Sequence, residues 1–200
     1  AIVQGAANYL IISHPLLRQP VNEYADPVRA YAAYRASTQG GSYDTLIVNI
    51  SNLYDLFSYG EVTPLAIRNF LRWMSAVKIP DYLFIIGKGL TPNYGYERKP
   101  AGFINYKNLV PPAGMPGSDM YYSVGINGHT HEHAIPTGRL TAMLPWQVAN
   151  YLDKVKETEA LPYNSLWRKK IMHLSGGIRV GEPQLFKLYM EGFQQTAEDI

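Results

Sequence analysis

Apolar positions follow two rhythms along this chain. Four short apolar runs stand out: Tyr9–Ser13 (YLIIS), Thr45–Ser51 (TLIVNIS), Tyr82–Gly87 (YLFIIG) and Lys170–Ser175 (KIMHLS), the first three nearly continuous in apolar residues. Each has strand length and ends in a turn signal. A continuous apolar run, unlike an alternating one, suits a strand covered on both faces, as in a parallel sheet. Between the runs, apolar residues recur every three to four positions. Asp26–Ser37 offers Asp26 as an N-cap and Pro27 at the first helical position, and Thr63–Val77 repeats the device with Thr63 and Pro64. In the second segment Ile67, Phe70, Leu71, Met74 and Val77 form one stripe. Leu144–Thr158 carries Ala149, Leu152 and Val155 at similar spacing, and Glu182–Ala197 carries Leu185, Leu188, Tyr189 and Phe193.

Strands that alternate with helices imply right-handed crossovers and helices on both faces of a sheet. The pattern therefore predicts an α/β fold, a three-layer sandwich with a mainly parallel sheet of about four strands. The regular alternation breaks at about 90–135. Leu90–Ser118 is rich in proline and glycine and predicts a long loop. Met120–Ile135 predicts an inserted β-hairpin around Asn127-Gly128, a pair that favours a type I′ turn. That register sets Ile126 opposite His129, Val124 opposite His131 and Tyr122 opposite His133. Neither an internal repeat nor a low-complexity linker divides the chain, so residues 1–200 are expected to form a single lobe.

Composition narrows the picture. A hydrophobic fraction of 46% over 200 residues supplies a real core. The net charge of +2 gives no strong field for nucleic acid. No apolar run approaches the ~20 residues of a membrane span. The first thirteen residues lack the basic stretch that precedes the apolar part of a signal peptide. There is no cysteine, which excludes disulfides, thiolate metal sites and a cysteine nucleophile within these residues. Tyrosine is frequent, at 16, and packing accounts for it.

Candidate chemistry is thin. His129, His131 and His133 alternate, so a strand would put them on one face, where imidazoles can share a metal. Three ligands from one strand make a poor tetrahedral set, and no cysteine can complete it, so hairpin packing is the expectation and no metal or cofactor is assigned. Gly87-Lys88-Gly89 follows the third run, but Pro92 stands where a dinucleotide fingerprint needs glycine, and proline removes a phosphate-gripping N–H. His173 and Ser175 lie two apart on the fourth run. That places them side by side without aiming the imidazole at the hydroxyl, and no G-x-S-x-G elbow is present. Asp44, Asp55, Asp81 and Asp119 sit at element edges, where capping and turn roles suit them.

One stretch adds a resemblance. LYDLFSYGEVTPLAIRNFL, from Leu53, resembles a segment of gingipain-type cysteine peptidases at Tyr54, Asp55, Phe57, Gly60, Pro64, Ala66, Ile67, Arg68, Phe70 and Leu71. PDYLFIIGKG, SDMYY, Gly138-Arg139-Leu140, the helix with Lys154 and Glu157, Trp167, and Leu174–Gly177 follow in the order of that family. The resemblance implies a caspase-like fold of two related α/β subdomains, with the catalytic histidine and cysteine in the second. This chain resembles the first, and none of His14, His129, His131, His133 or His173 sits in the matching catalytic context, so no catalytic residue is assigned.

The resemblance further implies a secreted or cell-surface parent near the sortase-like members of type IX secretion. Its partners would be the following catalytic subdomain of the same chain and a peptide or protein substrate. Lys88 departs from the family, which usually has an aspartate there, and the change reverses the local charge. That favours an alternative: an inactive relative acting as a binding or structural module in surface-protein secretion or attachment. Within the resembling stretch, Tyr54, Phe57 and Tyr59 are expected to form a loop folded back beside Ile67 and Phe70. Gly60 would permit the turn, Asp55 would pair with Arg68, and Phe57→Ala would cost about 3–5 kcal/mol.

Overall fold

The computed structural model describes residues 2–5, 7–91, 108–128, 130–170, 172 and 174–198. It divides into two compact units, residues 1–160 and 161–200. The first holds the sheet. Strands β1 (Tyr9–Ser13), β2 (Thr45–Asn49), β3 (Tyr82–Ile86) and β4 (Thr137–Leu140) run parallel in the order β2-β1-β3-β4. Ile11 pairs with Ile47 on one side and Phe84 on the other. Ile85 pairs with Arg139.

The pleat sorts side chains onto two faces. Leu10, Ile12, Val48, Leu83 and Ile85 enter one core cluster, and Tyr9, Ile11, Ile47, Phe84 and Ile86 the other. Helices α2 (Ile50–Phe57) and α3 (Pro64–Ser75) cover the first face with Leu53, Ile67, Phe70, Leu71 and Met74, all fully buried. Helices α1 (Pro27–Ala36) and α4 (Pro145–Ala160) cover the second with Val28, Tyr31, Val148 and Leu152. The result is the three-layer α/β sandwich that the apolar pattern predicts.

Helix starts follow the capping logic. Asp26 Oδ1 accepts the Arg29 N–H at 3.0 Å, while Oδ2 takes the Arg18 fork at 2.9 and 2.7 Å. Thr63 Oγ1 accepts the Leu65 N–H at 3.3 Å ahead of α3.

Three expectations change. The fourth strand is Thr137–Leu140, not Lys170–Ser175. Lys170, Met172, Leu174 and Ser175 are not in a strand, and Ile171 and His173 lie outside the described residues. TGRL hides as a strand because it is a half-buried edge with one large apolar residue.

Tyr54 and Phe57 lie in a helix, not a loop. Asn49 ends β2 and at once caps α2 by accepting the Ser51 N–H at 3.0 Å. The chain turns only after Phe57, where Tyr59 and Gly60 take φ of 56° and 85°. Phe57 does pack on Phe70, with ring centroids 5.6 Å apart, and on Trp73, but Tyr59 is fully exposed. Arg68 leaves Asp55 and donates instead to the Tyr121 carbonyl, lying 4.9 Å over that ring.

The hairpin reduces to one antiparallel bridge, Val124 with His133, two residues away from the expected register. Asn127 and Gly128 keep the positive φ of the expected turn, at 51° and 84°. Met120–Tyr122 instead forms a 3-10 turn that buries Tyr122 completely. The Tyr122 hydroxyl donates to the Pro111 carbonyl at 2.7 Å, which holds this segment against the core and away from a free hairpin.

The second unit contains a short 3-10 turn (Leu166–Lys169) and α5 (Glu182–Glu198). Just before it, the Ile178 and Arg179 N–H groups donate to the Glu182 carboxylate, each at 2.9 Å, which fastens the preceding turn to the first residue of the helix.

Candidate functional site

In an open parallel sheet the usual ligand crevice lies at the carboxyl ends of the strands where the strand order reverses. Here that point is between β1 and β3. Protein fills it. Gly87, just past β3, has φ of 151°, and a Cβ there would stand 2.8 Å from a Val110 methyl. The Lys88 N–H donates to the Ala142 carbonyl at 2.8 Å, and the Lys88 carbonyl accepts from Leu109 and Val110 at 2.8 and 3.2 Å. Leu109 and Val110 are buried against this end. Gly87-Lys88-Gly89 thus anchors the insertion by its backbone.

Arg139 fastens the same region. It projects from β4 on the α2/α3 side, with its side chain 13% exposed. Nε and one Nη grip Asp119 at 2.8 and 2.7 Å, and that Nη also donates to the Tyr122 hydroxyl at 3.0 Å. The other Nη donates to the carbonyls of Gly87 at 2.6 Å and Val110 at 3.0 Å. Guanidinium has five N–H donors, and these five acceptors use them all. Burial alone would lower the Arg139 pKa, but the Asp119 carboxylate and Tyr122 outweigh it and raise it. The cluster ties β3, β4 and the insertion together and has no donor left for a ligand. Asp119 therefore serves an ion pair and not a helix cap, since its side chain makes no capping bond.

The histidines disperse. His14 Nδ1 accepts the Leu16 N–H at 3.2 Å and caps a short turn, and burial lowers its pKa. His133 Nδ1 lies 3.0 Å from the Ser123 hydroxyl. That serine is wholly buried, so no substrate reaches it, and its hydroxyl also sits 3.4 Å from the Ile135 carbonyl. His131 is exposed, while His129 and His173 lie outside the described residues. Among the described residues no three metal-ligating side chains converge.

At the opposite, amino-terminal end of the sheet is a feature the sequence reading missed. Tyr9, Tyr31, Tyr82, Phe84, Tyr151 and Arg35 line an open pocket of about 270 Å³, closed on the β4 side by Pro136, Thr137 and Gly138. Tyr31 and Tyr151 both pack on the Phe84 ring, at 4.9 and 5.7 Å. The Tyr9 and Tyr31 hydroxyls meet at 2.9 Å, and Arg35 Nε donates to the Tyr31 oxygen at 3.0 Å. Burial, then the bond to Tyr31, raises the Tyr9 pKa well above the usual phenol range. The only advance signal was the abundance of tyrosine.

A comparison with protein families matches the description of peptidase family C25 over residues 3–200. The chain belongs to this family. No curated protein matches it in sequence. Among solved structures it is similar to the crystal structure of dimeric latent PorU from Porphyromonas gingivalis, with a TM-score of 0.62 and 16% identity. The match covers 85% of this chain and 17% of that one, so the chain spans about a sixth of the solved protein's length. At that identity the likeness concerns the fold, and it agrees with the caspase-like expectation. In this chain Arg139 and Asp119, both in segments that carry the resemblance, share a structural role.

Proposed function

We propose that this chain is the non-catalytic first subdomain of a secreted gingipain-like cysteine endopeptidase, scaffolding a following catalytic subdomain. The observation that carries the reading is the packed carboxyl end of β3 and β4. There, beside the point where an α/β enzyme of this topology would place its ligand, the chain sets Val110, Leu109 and a saturated arginine clamp. Membership of the C25 family supports the peptidase parentage, and the lack of any cysteine supports locating the nucleophile elsewhere. The parent would cleave peptide bonds in secreted or cell-surface surroundings, with this chain acting as the wall beside its catalytic half.

The purified 200-residue protein should neither hydrolyse fluorogenic peptides or casein nor take up a thiol-directed inhibitor. Turnover that copurifies with the protein and responds to substitution within it would overturn the reading.

Lys88 supports a second reading, an inactive relative serving as a binding or structural module in secretion or attachment. The two separate on the sequence after Ile200: a His-Gly followed about thirty residues later by a cysteine, as the resemblance implies, favours the enzyme. No helix among the described residues is long and apolar enough to cross a membrane.

A further inference from the structure

β4 is one of the two outer strands of the sheet, β2 being the other. The Leu83 N–H donates to the Pro136 carbonyl and the Gly87 N–H to the Leu140 carbonyl, so 136, 138 and 140 turn their backbone groups toward β3. Alternation leaves the N–H and C=O of Thr137 and Arg139 pointing outward, and among the described residues nothing bonds to them. An unpaired edge of this kind templates another strand.

Gly138 lies at the centre of that edge and opposite Phe84. Its backbone does not need glycine, because its φ is not positive and a Cβ would meet the Phe84 ring at an ordinary 3.5 Å. What the missing side chain does is leave the tyrosine pocket open. Residues in register on neighbouring strands point to the same face, so a residue paired beside Gly138 would project into that pocket. An aromatic ring there can cover the glycine and reach Phe84 and Tyr151. The pocket's size, about 270 Å³, lies just below the ~300–1,000 Å³ of small-molecule sites and suits one large side chain.

The lining also selects charge. Five aromatic faces would welcome a cation, but the Arg35 guanidinium stands in the same wall and opposes it. The two hydroxyls of Tyr9 and Tyr31 share one hydrogen bond while Arg35 donates into Tyr31. One phenolic proton is thus left without an acceptor among the described residues, and a carbonyl or carboxylate would take it.

We propose that the free edge of β4 and the pocket beside Gly138 form a docking site for an extended peptide segment of a partner protein. The segment adds as a fifth strand and inserts one uncharged aromatic side chain over Gly138. The site does not depend on the peptidase reading and would survive its failure.

The test is fluorescence anisotropy of the 200-residue protein with a labelled ten-residue peptide of alternating threonine and valine carrying one central phenylalanine. Burying the ring should make it bind about tenfold or more tighter than the same peptide with alanine there. A lysine at that position should bind more weakly than alanine. Gly138→Val fills the pocket with a residue suited to a strand, and should lose tenfold or more in affinity at an unchanged thermal midpoint. N-methylation of the peptide amides that face β4 should abolish binding, and N-methylation of the alternate set should not. That measurement stands even if the variant fails to fold. Equal binding of the phenylalanine and alanine peptides, or no saturable binding at millimolar peptide, overturns the proposal. So does Gly138-dependent self-association in sedimentation, which would give the edge to a second copy.

Discussion

Arg139 makes five hydrogen bonds with five donors, which sets what its loss entails. Arg139→Met would leave the Asp119 carboxylate unpaired in a site only 21% exposed and strip two carbonyls of their donor. Breaking one side of such a pair costs about 3–5 kcal/mol. Arg139→Lys keeps the charge but offers three donors without the planar fork, so it should recover only part of that. Urea unfolding checks both variants, and wild-type stability in the lysine variant would refute the clamp. Phe70 is wholly buried, so Phe70→Ala should cost about 3–5 kcal/mol. Phe57 is half-buried against Phe70 and Trp73, so Phe57→Ala falls to about 2 kcal/mol, below the expectation from sequence. A larger loss at 57 than at 70 in the same urea series would show that burial does not rank them.

Three phenols give the protein an alkaline limit. Burial raises the pKa of Tyr54 and Tyr122, and burial with the Tyr31 bond raises that of Tyr9. A raised folded-state pKa means that the native state keeps a proton the unfolded chain releases above about pH 10. The stabilising contribution is therefore complete below that pH and is lost as the pH rises past it. Chemical-denaturation midpoints should fall steeply above pH 10, and phenolate absorbance from these three should appear only with unfolding. Tyr9→Phe, Tyr54→Phe and Tyr122→Phe together should flatten the fall, and an unchanged slope would exclude these groups as its cause.

At the scale of elements, legibility in the sequence followed apolar content. β1 and β3 lie inside the sheet, and β2, though an edge strand with only Val48 buried, keeps the apolar run Leu46–Val48, so all three announce themselves. The caps Asp26 and Thr63, each followed by proline, marked α1 and α3 to within a residue or two. What stayed hidden had a physical reason. β4 is an edge with glycine and a half-buried arginine where an apolar residue would be the signal. α2 begins on the residue after β2 ends, so its apolar positions merged with the strand's run. The candidate site was harder still. The Arg139 cluster joins positions 87, 110, 119, 122 and 139, and the tyrosine pocket joins 9, 31, 82, 84 and 151. Neither spacing is a local motif. Only the strand order and the alternation of faces bring those residues together.

At the scale of the whole molecule, the two units differ in what holds them. Both core clusters draw their buried residues from Ala7 to Leu152. Among residues 161–200 whose side chains are described none is buried, and Leu185, Leu188, Tyr189 and Phe193 on α5 are all 45% exposed or more. A single 17-residue helix lies near the length at which isolated helices are marginal in water. The sheet unit should therefore stand without it. A chain ending at Ala160 should unfold cooperatively, because both core clusters lie within residues 7–152. A peptide of 161–200 alone should show weak helicity by circular dichroism, and its helical signal should rise only when a partner covers the Leu185–Phe193 stripe. If the truncated chain instead lost cooperative unfolding, or the peptide were fully helical, the apolar core would not be what decides stability in either unit.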